Sequence, residues 1–339
     1  MNNSEILKIA QKILNKDIYF AAKVIRMIED HDPNAQKILE YLYQHKGNAY
    51  ILGITGLPGS GKSTIVNLLI RYFRSKNKSV GVIAVDPSSP LTNGAILGDR
   101  VRMVEHSKDS NVFIKSIATR GHYGGLARST LGVLSVMEAM GKDIVIIETV
   151  GVGQTEVSIM NLAHTTVLVL VPELGDYIQT IKAGILEIGD IFVINKIDKK
   201  DPFELSYNIE SLIQLKDMDV NEVIWKPKVI LTSTLQEKGI ETLVNTIEEH
   251  KKFFELFNKE KYLKKRFNEE LRNEVFNYFI DFFEFNFKKS ILIEEVVKNI
   301  IKNKLNPYTE SKNIIKKLLI LLKEHNLNEW KKIKNKRNT

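Results

Sequence analysis

Residues 56–64 read GLPGSGKST. Three glycines and a proline within six positions suit neither the interior of a helix nor that of a strand. A lysine, a serine and a threonine follow at once. The chemistry that uses this combination is anion binding. Gly56, Gly59 and Gly61, spaced by Leu57, Pro58 and Ser60, let backbone N–H groups turn inward around a phosphate. Lys62 can reach the next phosphates along. The Ser63 hydroxyl can ligate Mg²⁺, and Thr64 can bond a further phosphate oxygen. The run AYILGIT before the loop reads as a strand, and TIVNLLIRYF after it reads as a helix with one apolar face. Strand, glycine loop and helix in that order give G-x-x-x-x-G-K-S its phosphate-binding context, with the positive end of the helix dipole at the anion.

A second stretch addresses the base. Asn195, Lys196 and Asp198 form N-K-x-D at the carboxyl end of FVIN, where ligands of open α/β sheets bind. The Asp198 carboxylate can accept hydrogen bonds from the ring N–H and the exocyclic amine of guanine. Adenine offers neither donor there and would leave the charge unpaired, so the pattern predicts guanine selectivity. Lys196 can lay its stem over the base, and Asn195 can tie this loop to the P-loop. KPKVILTST leads into Ser233-Thr234-Leu235, which suits a backbone contact to the guanine carbonyl.

Two further strands end in acids. VIAVD ends in Asp86 and IVIIE in Glu148, with Gly151 three residues on. A carboxylate at a strand end beside a P-loop serves Mg²⁺, directly or through water; the plainer alternative is a helix N-cap or turn residue. Gly151 lets a backbone N–H approach the γ-phosphate. Gln154 follows three residues later as a candidate for positioning the attacking water.

These residues need a scaffold that brings strand ends to one edge. Apolar runs at 50–55, 79–85, 112–117, 144–147, 166–171, 191–194 and 228–231 read as strands, most of them separated by helical patterns. The alternation predicts an α/β fold with a mostly parallel sheet flanked by helices. Residues 1–46 show helical spacing in Ile6, Ile9, Ile13, Ala21, Ile25, Ile28, Ile38 and Leu42. After His250 the pattern changes to long helices rich in Phe and Lys. The expected division is an N-terminal helical extension (1–46), a nucleotide-binding domain (47–250) and a C-terminal helical arm with a basic tail (251–339).

Composition narrows the classes. The chain has 339 residues, 43% of them hydrophobic, and no cysteine. Disulfides, thiolate metal sites and cysteine nucleophiles are excluded, which fits a reducing cytoplasm. No apolar run is long enough to span a membrane, and the amphipathic N-terminus lacks a secretory apolar region. The net charge of +8 is concentrated: nine Lys/Arg against two Glu lie in residues 311–339. That reads as a solvated tail rather than a nucleic-acid surface. Ten of the fifteen Phe lie in residues 251–289, and Phe276, Phe279, Phe283 and Phe287 keep a helical spacing. Phe282 and Phe285 lie off that stripe, so the helix needs burial on more than one side. The expectations are a helix sandwiched within the chain or a homodimer.

GLPGSGKST, AVDPSSPLTNGAILGDRVRM, ETVGVGQTE, GDYIQTIKAG and NKID occur in that order and spacing. The set closely resembles the MeaB/ArgK family of P-loop GTPases over residues 20–250. The resemblance implies a SIMIBI-type P-loop NTPase binding GTP/GDP with Mg²⁺. It also implies a chaperone role toward an adenosylcobalamin-dependent acyl-CoA mutase, chiefly methylmalonyl-CoA mutase, gating cofactor loading and protecting the mutase, with a homodimer formed through the C-terminal arm. It assigns Asp86, Asp99 and Glu148 to Mg²⁺, places Arg102 in the same switch segment as Asp99, and places Gln179 and Lys182 in a third switch that the mutase reorganises. By itself Lys182 reads as an ordinary helix lysine, and Ala183 stands where the family often has a second lysine. RGHYGGLARST reads as a loop before a helix, with His122 solvated rather than bound to a metal. Two other classes fit less well. Metal-insertion GTPases for hydrogenase or urease need clustered Cys/His, whereas the seven His are scattered and Cys is absent. ATP-driven partitioning or targeting proteins carry an early P-loop lysine, where this chain has Leu57-Pro58, and lack N-K-x-D; N-K-I-D also argues against the older description of the resembled family as transport-associated ATPases or kinases for arginine and ornithine.

Overall fold

The structure is a computed structural model describing residues 1–30, 32–45, 47–86, 104–106, 108–118, 125–149, 160–172, 189–216, 224–288, 297–298, 300–302, 306–316 and 320, with backbone alone at 86, 104, 118, 125–128, 215–216, 273, 277 and 280–288. Asp99, Arg102, His122, Gly151, Gln154, Gln179, Lys182 and Ala183 lie outside the described residues.

Three helices open the chain: α1 (Asn3–Leu14), α2 (Ile18–Glu29) and α3 (Pro33–Tyr43). Each starts where a short polar side chain caps it. Asn2 and Glu5 form a reciprocal capping box, Asp17 accepts from the first turn of α2, and Asp32 precedes Pro33 at the first position of α3. Their apolar stripes are the positions that the sequence spacing marks, and all eight of those side chains are buried.

The sheet follows: β1 (Tyr50–Gly56), β2 (Val80–Asp86), β3 (Val112–Ala118), β4 (Ile144–Thr149), β5 (Thr165–Leu170), β6 (Ile191–Ile194) and β7 (Lys228–Leu231). All seven strands occur where the apolar runs place them. Their order is β3-β2-β4-β1-β5-β6-β7, and every neighbouring pair is parallel. Among the described residues the helices between them are α4 (Lys62–Ser75), α5 (Gly125–Ala139) and α6 (Phe203–Lys216); α7 (Ile240–Phe253) follows β7, and after a π-helical turn at Phe254–Asn258 comes α8 (Lys259–Lys288).

Alternate strand residues go to opposite faces, and both faces are covered. Ile51, Ile83 and Ile147 pack with α5 and the three N-terminal helices. Leu52, Ile54, Val82 and Ile146 pack with Ile65, Leu69 and Phe73 of α4 and with Leu243 and Ile247 of α7. This double cover is why the strands are apolar at successive positions instead of alternating. Residues Met1–Arg266 form one compact unit and Phe267–Thr339 a second. The three N-terminal helices belong to the first, because their stripes are continuous with the core under the sheet.

Because β1 is flanked by β4 and β5, the carboxyl ends of three central strands meet at one edge, beside the point where the strand order turns back. That edge holds the candidate site.

Candidate nucleotide site

The loop from Gly56 to Gly61 leaves the centre of the sheet. Gly56, Gly59 and Gly61 all take positive φ, at 142°, 76° and 97°. At two of them space also demands glycine. A Cβ on Gly56 would stand 2.1 Å from the Val169 carbonyl oxygen, and one on Gly61 would stand 2.3 Å from the Asn195 amide nitrogen. Leu57 and Pro58 carry the outer side of the loop, Pro58 being exposed. Gly61 is the N-cap of α4, and no side chain caps that end. The first-turn N–H groups therefore keep their donors for an anion. Ser60 lies fully buried in the loop, and its Oγ has no hydrogen-bond partner among the described residues. A buried hydroxyl left in that state is costly unless a ligand supplies the partner.

Lys62 is buried, and its Nζ donates to the Leu57 carbonyl at 2.7 Å. The ammonium is thus folded back across the loop that the glycines shape. Thr64, next along α4, is exposed at the helix start.

Ser63 and Glu148 meet. The Ser63 hydroxyl donates to Glu148 Oε1 at 2.7 Å, and both residues are buried. Sheet register explains the meeting: Glu148 pairs with Ile54 of β1 on one side and Ala84 of β2 on the other. Its side chain therefore leaves β4 beside the start of α4. Asp86 ends β2 at the same edge, since the preceding Val85 pairs with Thr149. A hydroxyl and a carboxylate are hard oxygen donors, the set that Mg²⁺ takes with its waters and phosphates. The residues present therefore fit the ion. Below Glu148, the Thr149 hydroxyl donates to Thr55 Oγ1 at 2.8 Å, joining the ends of β4 and β1 in a dry position. The sequence carried no signal for this pair.

The base loop is built around Asn195, which is fully buried. Its amide nitrogen donates to the Ser60 carbonyl at 2.8 Å. Its Oδ1 accepts from Thr232 Oγ1 at 3.1 Å and from the Thr234 backbone N–H at 3.2 Å. One side chain thus fastens the phosphate loop to both the N-K-x-D turn and the segment after β7. Lys196 sits at φ +64°, the left-handed region that a non-glycine residue occupies only when its surroundings impose it. Asp198 is exposed at the mouth of the turn, and its Oδ1 accepts from the buried Ser233 hydroxyl. Ser233 is held in turn by paired backbone bonds with Lys238, at 3.1 and 3.0 Å. Leu235, the last residue of the Ser-Thr-Leu segment, is exposed beside them. Thr232, which no motif signalled, ranks with Ser233 in ordering this loop.

One clamp could not be read from the sequence. On α4, Arg71 grips both oxygens of Glu105 at 2.8 Å, and Asn67 donates to Glu105 at 3.2 Å. These bonds hold the Glu105 carboxyl well below its usual range, at about 2. Because the Asn67 nitrogen serves Glu105, its oxygen faces His106 Nε2 at 2.6 Å, so that ring nitrogen carries the hydrogen. The phosphate-loop helix thereby holds residues 105–106, directly after the span that contains Asp99 and Arg102.

The glycine loop, the Ser63–Glu148 pair and the N-K-x-D turn thus share one sheet edge. A putative GTPase of Pyrococcus abyssi is 42% identical over 314 residues, covering 92% of this chain and 96% of the archaeal protein. The mouse protein described as methylmalonic aciduria type A homolog, mitochondrial, is 37% identical over 216 residues, which span 63% of this chain and 52% of the mouse protein. The crystal structure of a LAO/AO transport system kinase superposes with a TM-score of 0.63 at 23% identity, covering 95% of this chain and 99% of that one, and shows the shared fold. A family profile described as methylmalonyl Co-A mutase-associated GTPase MeaB matches residues 21–286, and the chain belongs to that family.

Proposed function

We propose that this chain, a GTP hydrolase by family, works with Mg²⁺ as a chaperone of an adenosylcobalamin-dependent acyl-CoA mutase in the cytoplasm, methylmalonyl-CoA mutase being the first candidate. The observation that carries the reading is the family match across residues 21–286 together with a guanine-type base loop fastened to the phosphate loop through Asn195. The name of the mouse relative supports the mutase as partner. No helix among the described residues is long and apolar enough to cross a membrane.

The residues divide the work by position. Backbone N–H groups of residues 59–63 and the start of α4 take the phosphates, Lys62 neutralises charge on the β- and γ-phosphates, and Thr64 adds a hydroxyl. Ser63 would hold Mg²⁺, with Glu148, Asp86 and Asp99 directly or through water, and a bound ion would supply neutralising charge at the phosphate oxygens. Gly151 brings a backbone N–H toward the γ-phosphate, and Gln154 positions the water. Asn195, Lys196, Asp198 and the Ser233–Thr234–Leu235 backbone select guanine.

Hydrolysis by the chain alone is expected to be slow, with the mutase raising the rate through Lys182 acting on phosphate charge in the manner of an arginine finger. The test compares GTP turnover with and without the mutase. Lys182→Ala should keep the basal rate and binding and lose most of the stimulation. A stimulated rate indifferent to that change sinks the role of Lys182, and a mutase without effect on turnover or cofactor loading sinks the partner.

The assembly proposed is a homodimer through the C-terminal arm. In the single chain Phe276 and Phe279, one turn of α8 apart, are 55% and 49% exposed. Burying a Phe side chain stabilises by roughly 1.5–3 kcal/mol, so a second copy covering this stripe would give a lasting dimer. Light scattering is expected to show about twice the chain mass at low micromolar concentration; a stable particle of 38.8 kDa would reject the dimer.

A further inference from the structure

The start of α8 grips the turn that closes the chain leaving the nucleotide edge. β4 ends at Thr149, beside the Mg²⁺ donors; the chain is next described at Met160, from which residues 161–164 turn into β5 at the opposite edge of the sheet. That turn is keyed into β1, the strand that ends in the phosphate loop. The His164 N–H donates to the Ile51 carbonyl at 2.8 Å, and the Ile51 N–H donates to His164 Nδ1 at 3.2 Å. Burial lowers the His164 pKa to about 3, so its ring stays neutral and Nδ1 remains an acceptor. Met160 fills the hollow at Gly53 of β1, where an added Cβ would stand 2.7 Å from its sulfur.

The other side of the same turn is held by residues 254–266. Tyr262 donates its hydroxyl to the Leu162 carbonyl at 2.6 Å, and Lys265 Nζ donates to Asn161 Oδ1 at 3.1 Å. The His164 ring stacks on Phe254 at 4.5 Å and meets the Tyr262 ring edge-on at 4.7 Å. One residue on, Arg266 pairs with Glu138 of α5 at 3.5 Å, both about 6% exposed. Among the described residues these contacts lie away from the glycine loop, Glu148 and the N-K-x-D turn, so the site chemistry does not explain them.

We propose that residues 254–266 form a coupling element that reads the nucleotide state through the 160–164 turn. The 160–164 turn follows Thr149 after ten intervening residues in the chain, and segments close behind a strand that ends at a nucleotide change state with the γ-phosphate in nucleotide switches. The turn is fastened to β1 and close-packed at Met160, so a displacement arriving there is passed on to its remaining partners instead of being absorbed. Those partners are Tyr262, Lys265 and the Phe254 ring. Coupling is reciprocal: if the nucleotide alters this grip, loosening the grip alters the preference between nucleotides. The inference rests on GTP binding at the cradle, which the same titrations establish for the wild type.

The experiment uses the full chain and a Tyr262→Phe/Lys265→Ala variant, which removes two hydrogen bonds and leaves the buried Arg266–Glu138 pair in place. Calorimetric titration with GDP and with a non-hydrolysable GTP analogue gives the ratio of the two affinities. That ratio is expected to shift by about 5-fold or more. Hydrogen exchange of the wild type should show different protection of 160–164 and 254–266 in the two nucleotide states. A folded variant whose two affinities change by the same factor, or not at all, overturns the coupling; so does equal protection in both states. Should the double variant not fold, Lys265→Ala alone, at an exposed bond, carries the same comparison. A wild type that binds neither nucleotide would instead defeat the GTPase reading.

Discussion

Lys62→Ala is expected to lower GTP turnover by about 100- to 1,000-fold, the loss found when one well-placed donor to developing charge is removed. The ammonium does not need to search for its target. It is buried and already bonded across the loop to the Leu57 carbonyl at 2.7 Å. The side chain therefore surrenders little freedom when phosphate arrives, and its charge acts where water is scarce. Alanine leaves the loop carbonyl without this donor and takes the ammonium charge away from the β- and γ-phosphates. Phosphate release at saturating GTP, with affinity measured separately, checks the prediction. Turnover within a few-fold of wild type would remove Lys62 from the centre of the site.

The second large effect is a change of base. GTP should bind about 1,000-fold or more tightly than ATP, because a site built to accept two donors rejects the base that lacks them. Asp198→Asn is expected to weaken GTP by about 100-fold, the scale for truncating one side of a charged hydrogen-bonded pair. The same change should improve binding of xanthosine triphosphate, since the new amide can donate to the xanthine 2-oxygen while its carbonyl still accepts from the ring N–H. The structure sharpens the expectation. The Ser233 hydroxyl donates to Asp198 Oδ1, and Ser233 is locked by its backbone pair with Lys238, so the acceptor is aimed before any base arrives. Competition binding with GTP, ATP and xanthosine triphosphate decides it. Equal affinity of the wild type for ATP and GTP would end the guanine assignment, and an Asp198→Asn variant that keeps its preference for guanine would move the selectivity elsewhere.

Much of this is legible in the sequence alone. Local rules set the elements: glycine spacing made the loop 56–61, apolar runs of four to seven residues made the seven strands, and Ile and Leu at three- and four-residue steps made α1–α3. These signals are short-range. Each depends on what a residue and its immediate neighbours can do to their own backbone, so a linear reading recovers them. The motif residues Lys62, Ser63, Glu148, Asn195 and Asp198 were legible for the same reason, since each lies at a fixed offset from a strand or a glycine.

What the sequence could not contain was which strand ends become neighbours. Ser63 and Glu148 are 85 positions apart, and their 2.7 Å contact exists because β4 pairs with β1. Asn195 reaches the Ser60 carbonyl across 135 positions through the order β1-β5-β6. The Arg71–Glu105 clamp and the Tyr262 bond to Leu162 have no motif at all, because any polar side chain of suitable reach could make them. Parallel pairing is chosen by burying both faces of the sheet at once, a sum over the whole core. Residue types and offsets therefore determined the chemistry available to this chain, and only the tertiary packing decided which of those groups meet.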